Sequence, residues 1–180
     1  MSDKSNDHAS WDASSMIKNA KSLQRVAKEL EKNSSEALES DRWLFHGNFL
    51  ASPILLSLAT EIALKAWWCR EQNEAPKRTH DLLKLFEVLR QDTQEMLEAK
   101  MRKSSPYSVW AAEPNMQNLS PDLQDMLGAR MYPLRDVLCA HRDANMHWRF
   151  LYEKTRALFE TAEIDRALTV LIDAYHEKMD

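Results

Sequence analysis

The chain has 180 residues, only two glycines, 44% apolar residues and a formal charge of −4 with a pI near 5.9. This length supports one domain with a real core and is too short for two full ones, while so little glycine excludes folds built on tight hairpins and favours helices. An acidic balance excludes a protein that coats nucleic acid through its overall field, so any nucleic-acid contact has to be a local basic groove.

The opening stretch "MSDKSNDHASWDASS" is polar and lacks the apolar run of a secretory signal. Residues 1–12 therefore read as a flexible leader and residues 13–180 as a single all-α bundle domain, with a cytoplasmic location expected. From Met16 the positions Met16, Ala20, Leu23, Ala27 and Leu30 draw one apolar stripe, which predicts a helix to about Asn33. "NSSEALESD" reads as a polar connection, and "RWLFHGNFL" as an apolar segment ended or slowed by Gly47.

Ser52 and Pro53 form a helix-start signal, a capping hydroxyl followed by a residue suited to the first helical position. The second helix is predicted to begin there and to be central, because it is apolar nearly all round from Ile54 to Trp68. Its apolar run is interrupted by Glu61 and Lys65 and reads as too short to span a bilayer. Pro76 is expected to stop it, Thr79 to cap a new helix from His80, and Asp92 with Glu95 to form a capping box for another through Arg102. The stretch 103–118, "KSSPYSVWAAEPNMQN", has the irregularity of a lid, a partner contact or a surface insertion.

Ser120 and Pro121 repeat the start signal, with Leu123, Met126, Met131, Leu134 and Leu138 as core candidates and a kink or break around Gly128 to Pro133. A last helix from about Ala162 carries Ile164, Leu168, Leu171, Ile172 and Tyr175 on one face. Cys69 and Cys139 lie in apolar helical patterns and are expected to be buried free thiols, as in a reducing compartment.

Two groups of residues carry candidate chemistry. Glu61 and Lys65 stand four apart on an otherwise apolar helix, so burial requires them to find partners, either each other or the His80–Asp81 start and the Arg149–Glu153 pair. His80 at a helix start is expected to be neutral and to accept a hydrogen bond. Trp148 and Tyr152 would pack while Arg149 reaches Glu61 or Asp81. The alternative to a binding pocket is a polar network that only fixes packing.

The second group is "RDANMH", in which Arg142 and His147 are separated by four residues. On a straight helix they point about 140° apart, so either the helix breaks between them or two protomers combine their copies at a two-fold axis. Asp143 lies four residues before His147 and faces the same way, which orients the imidazole and favours its charged form. Such a set suits metal-independent RNA cleavage, the histidine moving a proton and Arg142 stabilising phosphate charge; a solvated helix face is the plainer alternative. No zinc-ligand spacing, phosphate-binding loop or internal repeat is present, and no cofactor is implied.

"LLSLATEIALKAWW", "RTHDLLKLF" a short loop later and "DANMHWRFLYE" ahead of a final amphipathic helix give the chain, over roughly Ser52 to Tyr175, a pattern that resembles the HEPN-domain superfamily. The resemblance implies an up-and-down bundle of four to five main helices with short extra helices, usually a homodimer, with RNA or nucleotide as ligand. It also implies a setting in toxin-antitoxin or phage-defence systems, with an antitoxin or nucleotidyltransferase as partner. In the ribonuclease branch an arginine and a histidine four to six residues apart form the functional pair, which Arg142 and His147 match, with Asp143 at the polar position after the arginine. In a subgroup resembling Trp148 to Glu153 the histidine position often holds another residue, which implies a catalytically silent domain.

Overall fold

A computed structural model of the chain describes residues 11–37, 41–104, 132–142 and 161–178. These residues contain six helices and no strand: α1 Ala13–Ala37, α2 Arg42–Gln72, α3 Leu82–Glu87, α4 Gln91–Lys103, α5 Leu134–Ala140 and α6 Thr161–Glu177. The fold class is all-α, as composition predicts. Leu123, Met126, Met131 and nearly all of the stretch 103–118 lie outside the described residues, as do residues 1–10 of the leader.

α1 starts one residue after Asp12, whose carboxylate accepts from both the backbone N–H and the hydroxyl of Ser15. Those bonds hold the Asp12 carboxyl below its ordinary range. The helix continues past Asn33 to Ala37, because Ser34 is buried against α2 and donates to the Phe45 carbonyl at 3.2 Å. Its buried line runs through Ile17, Ala20, Gln24, Ala27 and Ser34, one step round from the predicted stripe, with Met16 and Leu23 packing at the edge. Gln24 is tolerated there because its amide donates to Asp165 Oδ1 at 2.6 Å and Thr169 Oγ1 at 2.8 Å on α6.

α2 begins ten residues earlier than its strongest local signal. Asp41 is the N-cap, accepting from the N–H groups of Trp43 and Leu44, both at 3.0 Å. Gly47 and Pro53 lie inside the helix, and neither ends it. Ser52 is not a cap: it is buried, and its hydroxyl donates to Glu31 Oε1 of α1 at 2.7 Å. Pro53 removes one helical N–H, a cost that packing against the long antiparallel partner α1 offsets. The pairings Ser34–Phe45 near the turn and Glu31–Ser52 farther from it establish the antiparallel hairpin.

Joining the two apolar segments corrects the expectation about length. α2 spans 31 residues, with a mean hydropathy of 1.5 over its most apolar window, and is long and apolar enough to cross a membrane by length and composition alone. Inside this fold 59% of that window is buried by protein. The helix ends at Gln72, ahead of Pro76: Asn73 adopts φ 52°, in the left-handed region, and donates its N–H to the Cys69 carbonyl.

The later starts also shift. Asp81, rather than Thr79, caps α3 through Lys84 N–H, so the helix begins at Leu82; Thr79 Oγ1 accepts from Asp81 N–H. The Asp92–Glu95 capping box does not form. α4 starts at Gln91 with Arg90 at the cap position, and Asp92 binds the Arg90 guanidinium instead. α5 starts immediately after Pro133 and buries Leu134, Val137 and Leu138. α6 buries all five predicted core residues, Ile164, Leu168, Leu171, Ile172 and Tyr175.

α2 is central, packing on α1, α6 and α3, and α5 touches α3, α4 and α6. Trp67 is fully buried: its indole N–H donates to the Leu171 carbonyl at 3.1 Å and its ring meets Tyr175 edge-on. Burial raises the Tyr175 phenol and the buried Cys69 thiol above their ordinary values. Cys139 is exposed, contrary to expectation, because α5 is short and presents its Cys139 side to solvent.

Candidate functional site

α2, α3 and the turn after α5 bring one polar cluster together. Glu61 projects from the apolar helix α2 and is 4% exposed. Lys65 Nζ lies 2.7 Å from Glu61 Oε1, the pairing that their spacing predicts. His80 Nδ1 lies 3.0 and 3.1 Å from the two Glu61 oxygens. A carboxylate offers only acceptors, so Nδ1 carries the hydrogen and donates. The rest of the His80 side chain is at the surface, 70% exposed.

The next residue, Asp81, enters a second pair. Its Oδ2 lies 3.2 Å from Arg142 Nη2 and 3.8 Å from Lys84 Nζ, while Oδ1 caps α3. Arg142 is docked through its backbone as well, because its carbonyl accepts the Leu82 N–H at 3.3 Å. One guanidinium and one imidazole are thus held by two acidic residues, with His80 and Asp81 adjacent in the chain. Arg142 remains 47% exposed.

The position of Arg142 changes the geometric problem posed by the sequence. α5 ends at Ala140, and His141 and Arg142 form a turn, so the splay expected on a straight helix does not apply to Arg142. Asp143, His147, Arg149, Tyr152 and Glu153 lie outside the described residues, so their assigned roles carry no geometry. Of the predicted residues, Glu61, Lys65 and His80 come together, and Asp81 and Arg142 form the adjoining pair.

Two hollows flank the cluster. One, of about 410 Å³, is bordered by Lys77, Arg78, Thr79, Lys84, Glu87 and Val88. Its three cations were not singled out from sequence, although the Lys77–Arg78 dipeptide just before the Thr79 turn is the signal that could have found them. Lys77 also lies over the Trp68 ring at 4.1 Å, which fixes one side of this wall. The other hollow, about 540 Å³, is lined by Tyr132, Asp136, Cys139, His141 and Glu163 among others. His141, the 4% exposed neighbour of Arg142, uses Nδ1 to bond the Val137 carbonyl at 2.8 Å. Among the described residues no group of three His, Cys, Asp or Glu side chains is placed to hold a metal ion.

Comparison of the chain with protein-family models, with curated proteins and with solved structures found no match.

Chemically, the cluster can bind an anion and handle a proton. A phosphate approaching Arg142 would meet a cation already oriented by Asp81, with Lys84 close by and the basic hollow alongside. His80, oriented by its Nδ1–H bond to the Glu61 carboxylate and largely at the surface, is arranged like an acid/base group.

Proposed function

We propose that this chain is a cytoplasmic HEPN-like up-and-down helical bundle that acts on RNA, as a metal-independent endoribonuclease of a toxin-antitoxin or phage-defence system. The carrying observation is Arg142, a half-exposed guanidinium beyond the end of α5, oriented by the 10% exposed Asp81 side chain next to a basic hollow. In this reading Arg142 binds the scissile phosphate, His147 moves a proton of the 2′-hydroxyl or leaving oxygen, and Asp143 supports His147. Lys77, Arg78 and Lys84 hold the flanking backbone by charge. The chain works as a homodimer, with an antitoxin or nucleotidyltransferase as its protein partner.

The test is cleavage of single-stranded RNA by the purified protein in the presence of EDTA. Arg142→Ala and His147→Ala should each slow cleavage by roughly 100-fold or more, with unchanged helicity by circular dichroism. If His147→Ala cleaves as fast as the parent while His80→Ala does not, the proton is handled by the Glu61–His80 pair and the His147 assignment is rejected.

One observation favours a second reading: both acids of the cluster already hold cations of the same chain, Glu61 with Lys65 and Asp81 with Arg142. A cluster that stabilises packing in this way suits a non-catalytic RNA- or nucleotide-binding or dimerisation module. It predicts RNA binding without turnover, with Arg142→Ala lowering stability as well as affinity.

A further inference from the structure

The chain has six histidines, of which His46, His80, His141 and His176 are described. His141 is 4% exposed, with Nδ1 on the Val137 carbonyl. His46 is exposed, but its Nε2 accepts from Arg42 Nε at 3.5 Å. His176 is exposed and meets the Tyr175 ring edge-on, with no carboxylate in contact among the described residues. His80 differs from all three: its side chain is 70% exposed, and Nδ1 is fixed between the two Glu61 oxygens at 3.0 and 3.1 Å. With the hydrogen held on Nδ1, a neutral imidazole keeps its lone pair on Nε2. Among the described residues no group engages that nitrogen.

The surroundings of this ring are cationic. Lys77, Arg78 and Thr79, the three residues before His80, border the 410 Å³ hollow together with Lys84. Arg78 is exposed and has no ion pair among the described residues. The acids nearby are already committed: Glu61 holds Lys65 and His80, Asp81 holds Arg142 with Lys84 close by, and Glu87 holds Arg135. Attack on an anionic phosphoryl group needs a nitrogen lone pair presented outward, with cations beside it to offset repulsion and orient the oxygens. His80 is the described histidine that meets both conditions.

We propose that His80 Nε2 is a phosphoryl-acceptor site, loaded by a small donor with a readily departing group, an acyl phosphate or a phosphoramidate. The Nε2 lone pair attacks phosphorus and an Nε2–P bond forms. The donor's P–O or P–N bond breaks, and its electron pair leaves with the carboxylate or as ammonia. Nδ1 keeps its hydrogen on Glu61, whose negative charge balances the positive charge on the ring, and nothing is oxidised or reduced. Glu61 is a positioning residue, and Arg78 and Lys84 hold the phosphoryl oxygens. The product carries close to two added negative charges, so it turns an anion-attracting surface into a repelling one. His80 can accept this group whether or not the chain cleaves RNA; where it does, the modification opposes RNA contact at Arg142.

The full chain, treated with potassium phosphoramidate at neutral pH, should gain a phosphoryl group that fragmentation mass spectrometry places on His80. Labelling there should be roughly 10-fold or more faster than at His46 and His176, the exposed reference histidines of the same molecule. The bond should survive alkali and be lost in acid, and phosphorus NMR should show the Nε2-linked isomer. Arg78→Gln should slow labelling several-fold with unchanged circular dichroism. Glu61→Gln should slow it and admit the Nδ1-linked isomer, a change of regiochemistry that weaker packing alone would not produce. Equal labelling of the three histidines, or an Nδ1-linked product in the parent, overturns the proposal. Both are read on the parent chain, so a poorly folding variant leaves the test standing. A Glu61→Gln variant that keeps the parent's rate and isomer overturns it as well. A chain that labels at His80 but leaves RNA intact supports the acceptor site and removes the nuclease reading alone.

Discussion

Between Trp43 and Leu58, α2 packs one side on α1 and leaves Trp43, Leu44, Leu50 and Leu58 at the surface, whereas from Ala59 to Cys69 every residue except Ile62 and Lys65 is buried. The two halves are similarly apolar, and their tryptophans make the contrast plain: Trp43 is 87% exposed and Trp67 is fully enclosed. The second half has α6 against it, with Leu171 accepting from the Trp67 indole and Tyr175 against its ring. Hydrophobicity sets what burial would be worth, but neighbours decide whether it occurs.

The sharpest way to test this contrast is to truncate both rings. Trp67→Ala should cost about 3–5 kcal/mol of stability in urea unfolding, because it removes a packed ring and leaves a cavity. Trp43→Ala, at a ring that is 87% exposed, should cost under about 0.5 kcal/mol. Equal losses would mean that the two halves share one environment.

The single acid on the enclosed half gives the next effect. Glu61→Ala strands Lys65, whose side chain is 16% exposed, and removes the anchor of His80. We expect about 2–3 kcal/mol of destabilisation, below the full cost of breaking a buried pair because Lys65 retains some access to water. Glu61→Gln should recover part of this, since an amide oxygen still accepts a hydrogen bond. An unchanged melting temperature for Glu61→Ala would show that the cluster contributes nothing to packing.

Alkaline titration probes the same enclosed region more gently. Burial raises Cys69 above the ordinary thiol value of 9.0 and Tyr175 above the ordinary phenol value of 10.0. The folded chain therefore holds these protons more tightly than the unfolded chain. Their contribution is complete below pH 9 and is lost as the pH rises past those ordinary values toward the raised ones. Denaturation midpoints should fall above pH 9, and Cys69→Ser with Tyr175→Phe should flatten that fall. A thiol reagent should modify the exposed Cys139 well before Cys69.

The smallest effect should be a gain on the open half. Gly47 is helical with empty space beside it, so Gly47→Ala should stabilise the monomer by about 0.5–1 kcal/mol through helix propensity. A variant no more stable than the parent would show that the added methyl meets a neighbour there.

Much of the helical framework was legible because local pattern and tertiary need agree. The α6 face from Ile164 to Tyr175 and the enclosed part of α2 emerge directly from apolar spacing. The i to i+4 Glu61–Lys65 pair was equally visible, since both partners belong to one helix. The starts of α2, α3 and α4 were misplaced because several side chains in each stretch can cap, and packing selects among them. Ser52 shows why: its hydroxyl is committed to Glu31 of another helix, leaving Asp41 to cap α2. The contact of Arg142 with Asp81, by contrast, joins residues 61 apart in the chain, beyond the reach of any local spacing.

The order of the amino acids alone determined that this protein is built from helices, which stretch is the most apolar, and where an acid and a lysine must meet within it. Periodicity and i to i+4 reach act over one or two turns, so they need no knowledge of neighbours. Only the tertiary structure decided that α2 runs unbroken through Gly47 and Pro53, that Cys139 faces solvent, and that Arg142 docks on Asp81. Each of those outcomes depends on which distant surface arrives to cover a side chain or satisfy its charge, and local spacing carries no such information.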